Sequence, residues 1–150
     1  RVDFYGTGGS AVIAMDAYHK FIRTGIKVFT FMDSHFQIMS ASQLTKNDVA
    51  VIISHSGTNK DTMNILKTAK KNGAKIIGIT GYPKSPLAKN SDVVLYTSSE
   101  ETEYRSEALS SRIAQLSLID ALYVNVMKFN KEKAKESLDK IREAIVVTRL

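Results

Sequence analysis

The 150-residue chain has the length of one domain, its 43% hydrophobic and 24% charged residues are those of a folded globular unit, and no apolar run approaches the roughly 20 residues of a membrane-spanning helix. Cysteine is absent, which excludes disulfides, thiolate metal sites and cysteine nucleophiles and fits a reduced, cytoplasmic compartment. Lys and Arg number 21 against 15 Asp and Glu, a net charge of +6 that suggests an anionic partner, but the basic residues are scattered and mixed with acids, the pattern of solvated helix faces and not of a nucleic-acid footprint.

The chain opens on Arg1-Val2-Asp3 without an initiator Met, and so reads as the interior of a longer protein. Five short runs rich in β-branched residues follow one another: Val2 to Tyr5, Lys27 to Phe31, Asp48 to Ser54, Lys75 to Thr80 and Val93 to Thr97. Their consecutive apolar positions predict strands covered on both faces. Helical patterns separate them, at Ala11 to Arg23, about His35 to Leu44, Lys60 to Asn72 and a short turn at Leu87 to Asn90. A long helix from about Ser106 to Met127 and a second from Lys131 to Val147 close the chain. Strand and helix alternate, so the expected fold is α/β, a five-stranded parallel sheet of flavodoxin-like order 2-1-3-4-5.

In such a sheet ligands bind beyond the C-terminal strand ends, so the loops there carry the chemistry. Gly6-Thr7-Gly8-Gly9-Ser10 leaves the first strand and enters a helix directly, and its three glycines let backbone N–H groups approach an anion there, with Ser10 adding a hydroxyl and Gly8 and Gly9 placed to face a sugar. Ser54-His55-Ser56-Gly57-Thr58-Asn59 does the same after the third strand, placing hydroxyls and an amide at a second helix start. A phosphate monoester needs several donors at once, and these two loops belong to neighbouring strands. Two other readings compete. In one, Thr58 or Asn59 is no more than a helix cap. In the other, Gly6, Gly8 and Ala11 fit the dinucleotide-binding spacing, with Asp33 as the ribose-binding acid.

The motifs Phe4-Tyr5-Gly6-Thr7-Gly8-Gly9-Ser10, Val51-Ile52-Ile53-Ser54-His55-Ser56-Gly57, Gly73-Ala74-Lys75-Ile76-Ile77-Gly78-Ile79-Thr80 and Ser85-Pro86-Leu87-Ala88 together resemble the sugar isomerase (SIS) domain, a phosphosugar-binding fold. Asp33-Ser34-His35, the segment from Ser106 to Ile113 and Leu118-Ile119-Asp120-Ala121-Leu122 narrow the resemblance to the effector domain of RpiR-type transcriptional regulators. The resemblance implies that Ser10, Ser54, Ser56 and the residue at 59 surround the phosphate, within a loop that includes Gly57 and Thr58, and that Glu107 and its neighbours face the sugar. Many members carry Thr where this chain has Asn59. The resemblance also implies a helix-turn-helix domain upstream, through which alone DNA would be bound.

A sugar-phosphate isomerase of the same fold would need a general base, for which Glu107 is the candidate. Ser111 and Arg112 on the long helix suit a sugar or a partner subunit. Strand alternation turns His55 away from the pocket its flanking serines face, and no histidine keeps ligand spacing with an acid, so neither metal nor cofactor is expected. The apolar surface of the last two helices exceeds what one face of the sheet can cover, which predicts a homodimer. The expected function is phosphosugar sensing, with isomerisation as the alternative.

Overall fold

The computed structural model describes residues 1–99 and 109–146. The strands are β1 (Val2–Gly6), β2 (Val28–Thr30), β3 (Val49–Ile53), β4 (Lys75–Thr80) and β5 (Val93–Tyr96). They form one parallel sheet in the order β2-β1-β3-β4-β5, the order expected. The helices are α1 (Gly9–Phe21), α2 (Ser34–Ser42), α3 (Lys60–Lys71), α4 (Pro86–Asn90), α5 (Leu109–Phe129) and α6 (Lys131–Val146), with a 3-10 turn at Ile22–Thr24. The predicted start of the long helix at Ser106 and the end of the last at Val147 lie outside the described residues.

Alternate residues of each strand feed two cores, because successive side chains of a strand point to opposite faces. Phe4, Val51, Ile53 and Ile79 pack with Ile13, Ala14, Ala17 and Phe21 of α1 and Ile119 of α5. Tyr5, Ala50, Ile52 and Ile76 pack on the other face with Ala41, Ile65, Leu66, Ala69 and Leu87. Phe21 bridges Phe4 and Tyr123 through edge-on ring contacts at 5.1 and 6.0 Å, which ties α5 to the sheet through α1.

Helix starts follow the expected capping chemistry. Asp33 accepts hydrogen bonds from the backbone N–H of His35 and Phe36 at the head of α2, and Ser85 accepts from that of Ala88 at the head of α4. Gln37 of α2 donates its amide to the carbonyls of Gly6 and Phe31, at 2.8 and 2.7 Å, so α2 is pinned to the ends of β1 and β2. Asp33, the ribose-binding candidate of the dinucleotide reading, therefore serves as a helix cap.

Candidate functional site

β1 and β3 run side by side, and Gly6 pairs in register with Ile53. The loops that leave these two residues consequently start from the same edge of the sheet, beside the place where the strand order reverses, which is where open α/β sheets bind ligands. A cleft of about 410 Å³ opens there, lined by Thr7, Gly9 and Ser10 from the first loop, His55 from the third, and Ser111, Arg112 and Gln115 from α5.

The first loop is shaped by its glycines. Gly8 adopts φ +56° and ψ −128°, a conformation that side chains disfavour, and this turns the chain from β1 into α1 within three residues. The backbone N–H of Ser10 returns to the Thr7 carbonyl and that of Ala11 to the Gly8 carbonyl. Those two donors are thus used within the turn, and Thr7, Gly9 and the Ser10 hydroxyl are what the first loop brings to the cleft. Arg112 runs along Gly9, its Cδ 3.8 Å from where a Cβ would stand.

The third loop is built on Gly57, at φ +63°. The Ser54 hydroxyl accepts from the Gly57 N–H, the Gly57 carbonyl accepts from the Leu87 N–H, and a Cβ on Gly57 would lie 2.4 Å from the Ser85 hydroxyl oxygen. Ser54 and Gly57 are accordingly buried, while Ser56, Thr58 and Asn59 are exposed. Ser56 Oγ accepts hydrogen bonds from the N–H and the hydroxyl of Thr58. Asn59 Oδ1 caps α3 by accepting from the N–H groups of Asp61 and Thr62, which leaves its amide nitrogen as the group that can reach an anion.

The predicted residues therefore fall into three sets. Gly9, Ser10, Ser111 and Arg112 are brought together in the cleft, while Gly8 makes the turn between two of its lining residues and is not itself one of them. Ser54, Ser56, Gly57, Thr58 and Asn59 form the neighbouring loop and are not among the residues that line it. Glu107 lies outside the described residues.

His55 is a correction: the residue borders the cleft, where strand alternation had turned it away. The two-residue period of β3 ends at Ile53, and beyond it the turn sets direction. Thr7 and Gln115 escaped the sequence reading. Gln115 is four residues after Ser111 and three after Arg112, so helical spacing places the three on one face. It is 1% exposed and its amide nitrogen has no hydrogen-bond partner. Among the described residues no cluster of His, Asp and Glu could hold a metal ion, and no helix is long and apolar enough to cross a membrane.

Comparison with known proteins agrees with this architecture. The family model for the SIS domain matches residues 1–125. The chain belongs to the SIS domain family. This SIS domain is 42% identical over 138 residues to the HTH-type transcriptional regulator RpiR of Escherichia coli K12, an alignment that spans 92% of this chain and 47% of that protein. The Vibrio vulnificus NanR protein complexed with ManNAc-6P superposes with a TM-score of 0.89 at 26% identity, over 99% of this chain and 57% of that one. The sugar isomerase domain of an RpiR transcription factor from Sphaerobacter thermophilus shares the fold, with a TM-score of 0.84 at 20% identity, over 95% of this chain and 78% of that one. The chain spans about half the length of the curated relatives it matches.

Proposed function

We propose that this SIS domain is the sugar-phosphate sensor of a transcriptional regulator, and that ligand in the cleft changes the geometry an attached DNA-binding domain reads. The observation that carries the reading is the cleft itself. Ser10, Arg112 and the unpartnered Gln115 amide supply donors and positive charge at a place where the serine-bearing third loop stands alongside, an arrangement suited to a phosphoryl group joined to a hydroxyl-bearing carbon chain. Relatives that are HTH-type regulators over almost all of this chain, and a structural neighbour that holds a sugar phosphate, support it.

In this reading Ser10, Ser54, Ser56, Gly57, Thr58 and Asn59 hold the phosphate, and Gly8, Gly9, Glu107, Ser111 and Arg112 face the sugar. Two copies of the chain pair through the C-terminal helices. The outer side of α5 leaves Leu109, Ile113 and Val124 exposed among Ser117, Asp120 and Lys128, and α6 leaves Ile145 and Val146 exposed, apolar surface that pairing would cover.

The test is to melt the chain with a panel of sugar phosphates while following its sedimentation. A ligand at 100 times its Kd adds about 2.7 kcal/mol, roughly 5 to 10 °C for a domain of this size. The expected result is such a shift for at least one sugar phosphate, on a dimer, without turnover. Flat melting curves across the panel contradict the sensor, a monomer contradicts the pairing, and conversion of an aldose phosphate to a ketose phosphate establishes the isomerase alternative.

A further inference from the structure

We propose that the cavity on the far side of His55 is a second subsite, which takes the remote, hydroxyl-bearing end of a sugar phosphate whose phosphoryl group is held by Ser10 and the third loop beside the cleft. The inference rests on the sugar-phosphate reading above and adds to it where the remote end of the ligand goes.

This cavity, about 280 Å³, is bounded by His55, Gly81, Tyr82, Thr97, Ser98 and Ser99, at the C-terminal ends of β3, β4 and β5. His55 lines both spaces and so stands as the wall between them. The wall is fixed. The His55 carbonyl accepts from the Thr80 hydroxyl at 2.8 Å and from the Gly81 N–H at 3.0 Å, the ring lies edge-on to Tyr82 at 5.3 Å, and a Cβ on Gly81 would come within 2.7 Å of the His55 Cε1.

Three side-chain atoms of the residues around this cavity are buried with no hydrogen-bond partner: His55 Nδ1, Thr97 Oγ1 and Ser99 Oγ. Thr97 is 6% exposed, and its backbone N–H is already given to Thr80. Buried polar atoms are normally paired, and three orphans around one space mark a place where a ligand group completes the bonding. Two hydroxyls that both donate and accept, beside an imidazole nitrogen, suit the vicinal hydroxyls of a polyol. The described lining brings no Lys or Arg, which a second phosphate would need. Liquid water takes about 30 Å³ per molecule, so the space admits several heavy atoms. The subsite therefore favours pentose and hexose monophosphates over short-chain phosphates and bisphosphates.

Calorimetric titration of the chain with inorganic phosphate, a triose phosphate and a panel of pentose and hexose phosphates tests this, using Thr97→Val, Ser99→Ala and the double variant. The double variant should lose about 10-fold in affinity for the longer sugars while its affinity for inorganic phosphate and the triose phosphate holds. The ligand-free variants should melt at or above the wild-type temperature, because an unpaired hydroxyl has been removed. Ser99→Ala, on the loop after β5, repeats the test without altering the buried Thr97. Undiminished affinity for the longer sugars, or an equal loss for inorganic phosphate, overturns the subsite and leaves the cleft reading standing. Absence of any sugar-phosphate binding by the wild-type chain overturns both.

Discussion

Gly6→Ala should weaken sugar-phosphate binding about 100-fold and destabilise the domain by about 3 kcal/mol, near the upper end of overpacking costs, which corresponds to roughly 10 °C in melting temperature. Gly6 is the last residue of β1, and a Cβ there would stand 2.4 Å from the carbonyl oxygen of Ser10, 2.6 Å from its carbon and 3.0 Å from the nitrogen of Ala11. All three are backbone atoms of the first turn of α1, so no side chain can rotate away. α1 can approach this closely here because Ala11, Ala14 and Ala17, all of them buried, are small among its contacts with the core, which Ile13 and Phe21 complete. Relief requires the helix to lift, and that carries Ser10 out of the cleft. The loss of one or two charge-assisted hydrogen bonds is about 100-fold in affinity. Gly9→Ala is the control: its Cβ would meet nothing nearer than Arg112 Cδ at 3.8 Å, so stability should change little. Urea unfolding and ligand titration of the two variants measure both effects, and a Gly6→Ala protein that binds normally would contradict the stated geometry.

Asp3→Ala should cost about 3 to 5 kcal/mol and leave the ligand affinity of the folded protein unchanged. Asp3 is fully buried on β1, and its carboxylate accepts from Arg1 Nε and Nη2 at 2.7 Å each, from the Tyr5 hydroxyl at 2.9 Å and from Ser40 Oγ. Arg1, Asp3 and Tyr5 alternate along the strand and so share a face, and Arg1 also stands over the Phe29 ring at 4.7 Å. Burial, and secondarily its carboxylate neighbour, push the pKa of the Tyr5 hydroxyl up, so the phenol stays a donor. Removing the carboxylate leaves the Tyr5 phenol without its acceptor and Arg1 with the Ser40 hydroxyl, at 2.8 Å, in place of a counter-charge. The cluster lies at the N-terminal end of β1 and the cleft at the other, which is why stability and binding should separate. Chemical denaturation and calorimetry read the two quantities, and a loss of affinity in step with stability would show the ends to be coupled.

The fold was legible because its signals are local and agree with one another. Five runs of β-branched residues, each followed by a helical period, leave a parallel sheet as the simplest solution, and the observed strand bounds differ from those expected by at most one residue at either end. β2 is the shortest, Val28 to Thr30 inside an expected run of five, as suits a strand at the sheet edge. The site was legible where glycine and hydroxyl residues cluster in a strand-to-helix loop, as at Gly9 and Ser10. It was less so where a residue arrives from far along the chain. Gln115 looks like any polar residue in a long helix until α5 is laid across α1, and His55 was misdirected by carrying strand alternation past Ile53. The Asp3 cluster was missed for a related reason: Arg1 and Tyr5 share its strand face, but Ser40, which completes it, comes from α2.

In the proposed site Ser10 and Ser56 hold one phosphoryl group from two loops, and a double-mutant cycle on them measures this most directly. Ser10→Ala and Ser56→Ala should each weaken binding of inorganic phosphate and of the sugar phosphate by about 10- to 30-fold, leave binding of the unphosphorylated sugar unchanged, and combine non-additively, as contacts to one group do. Phosphate affinity that falls with Ser10→Ala and is untouched by Ser56→Ala would place the phosphoryl group away from the third loop.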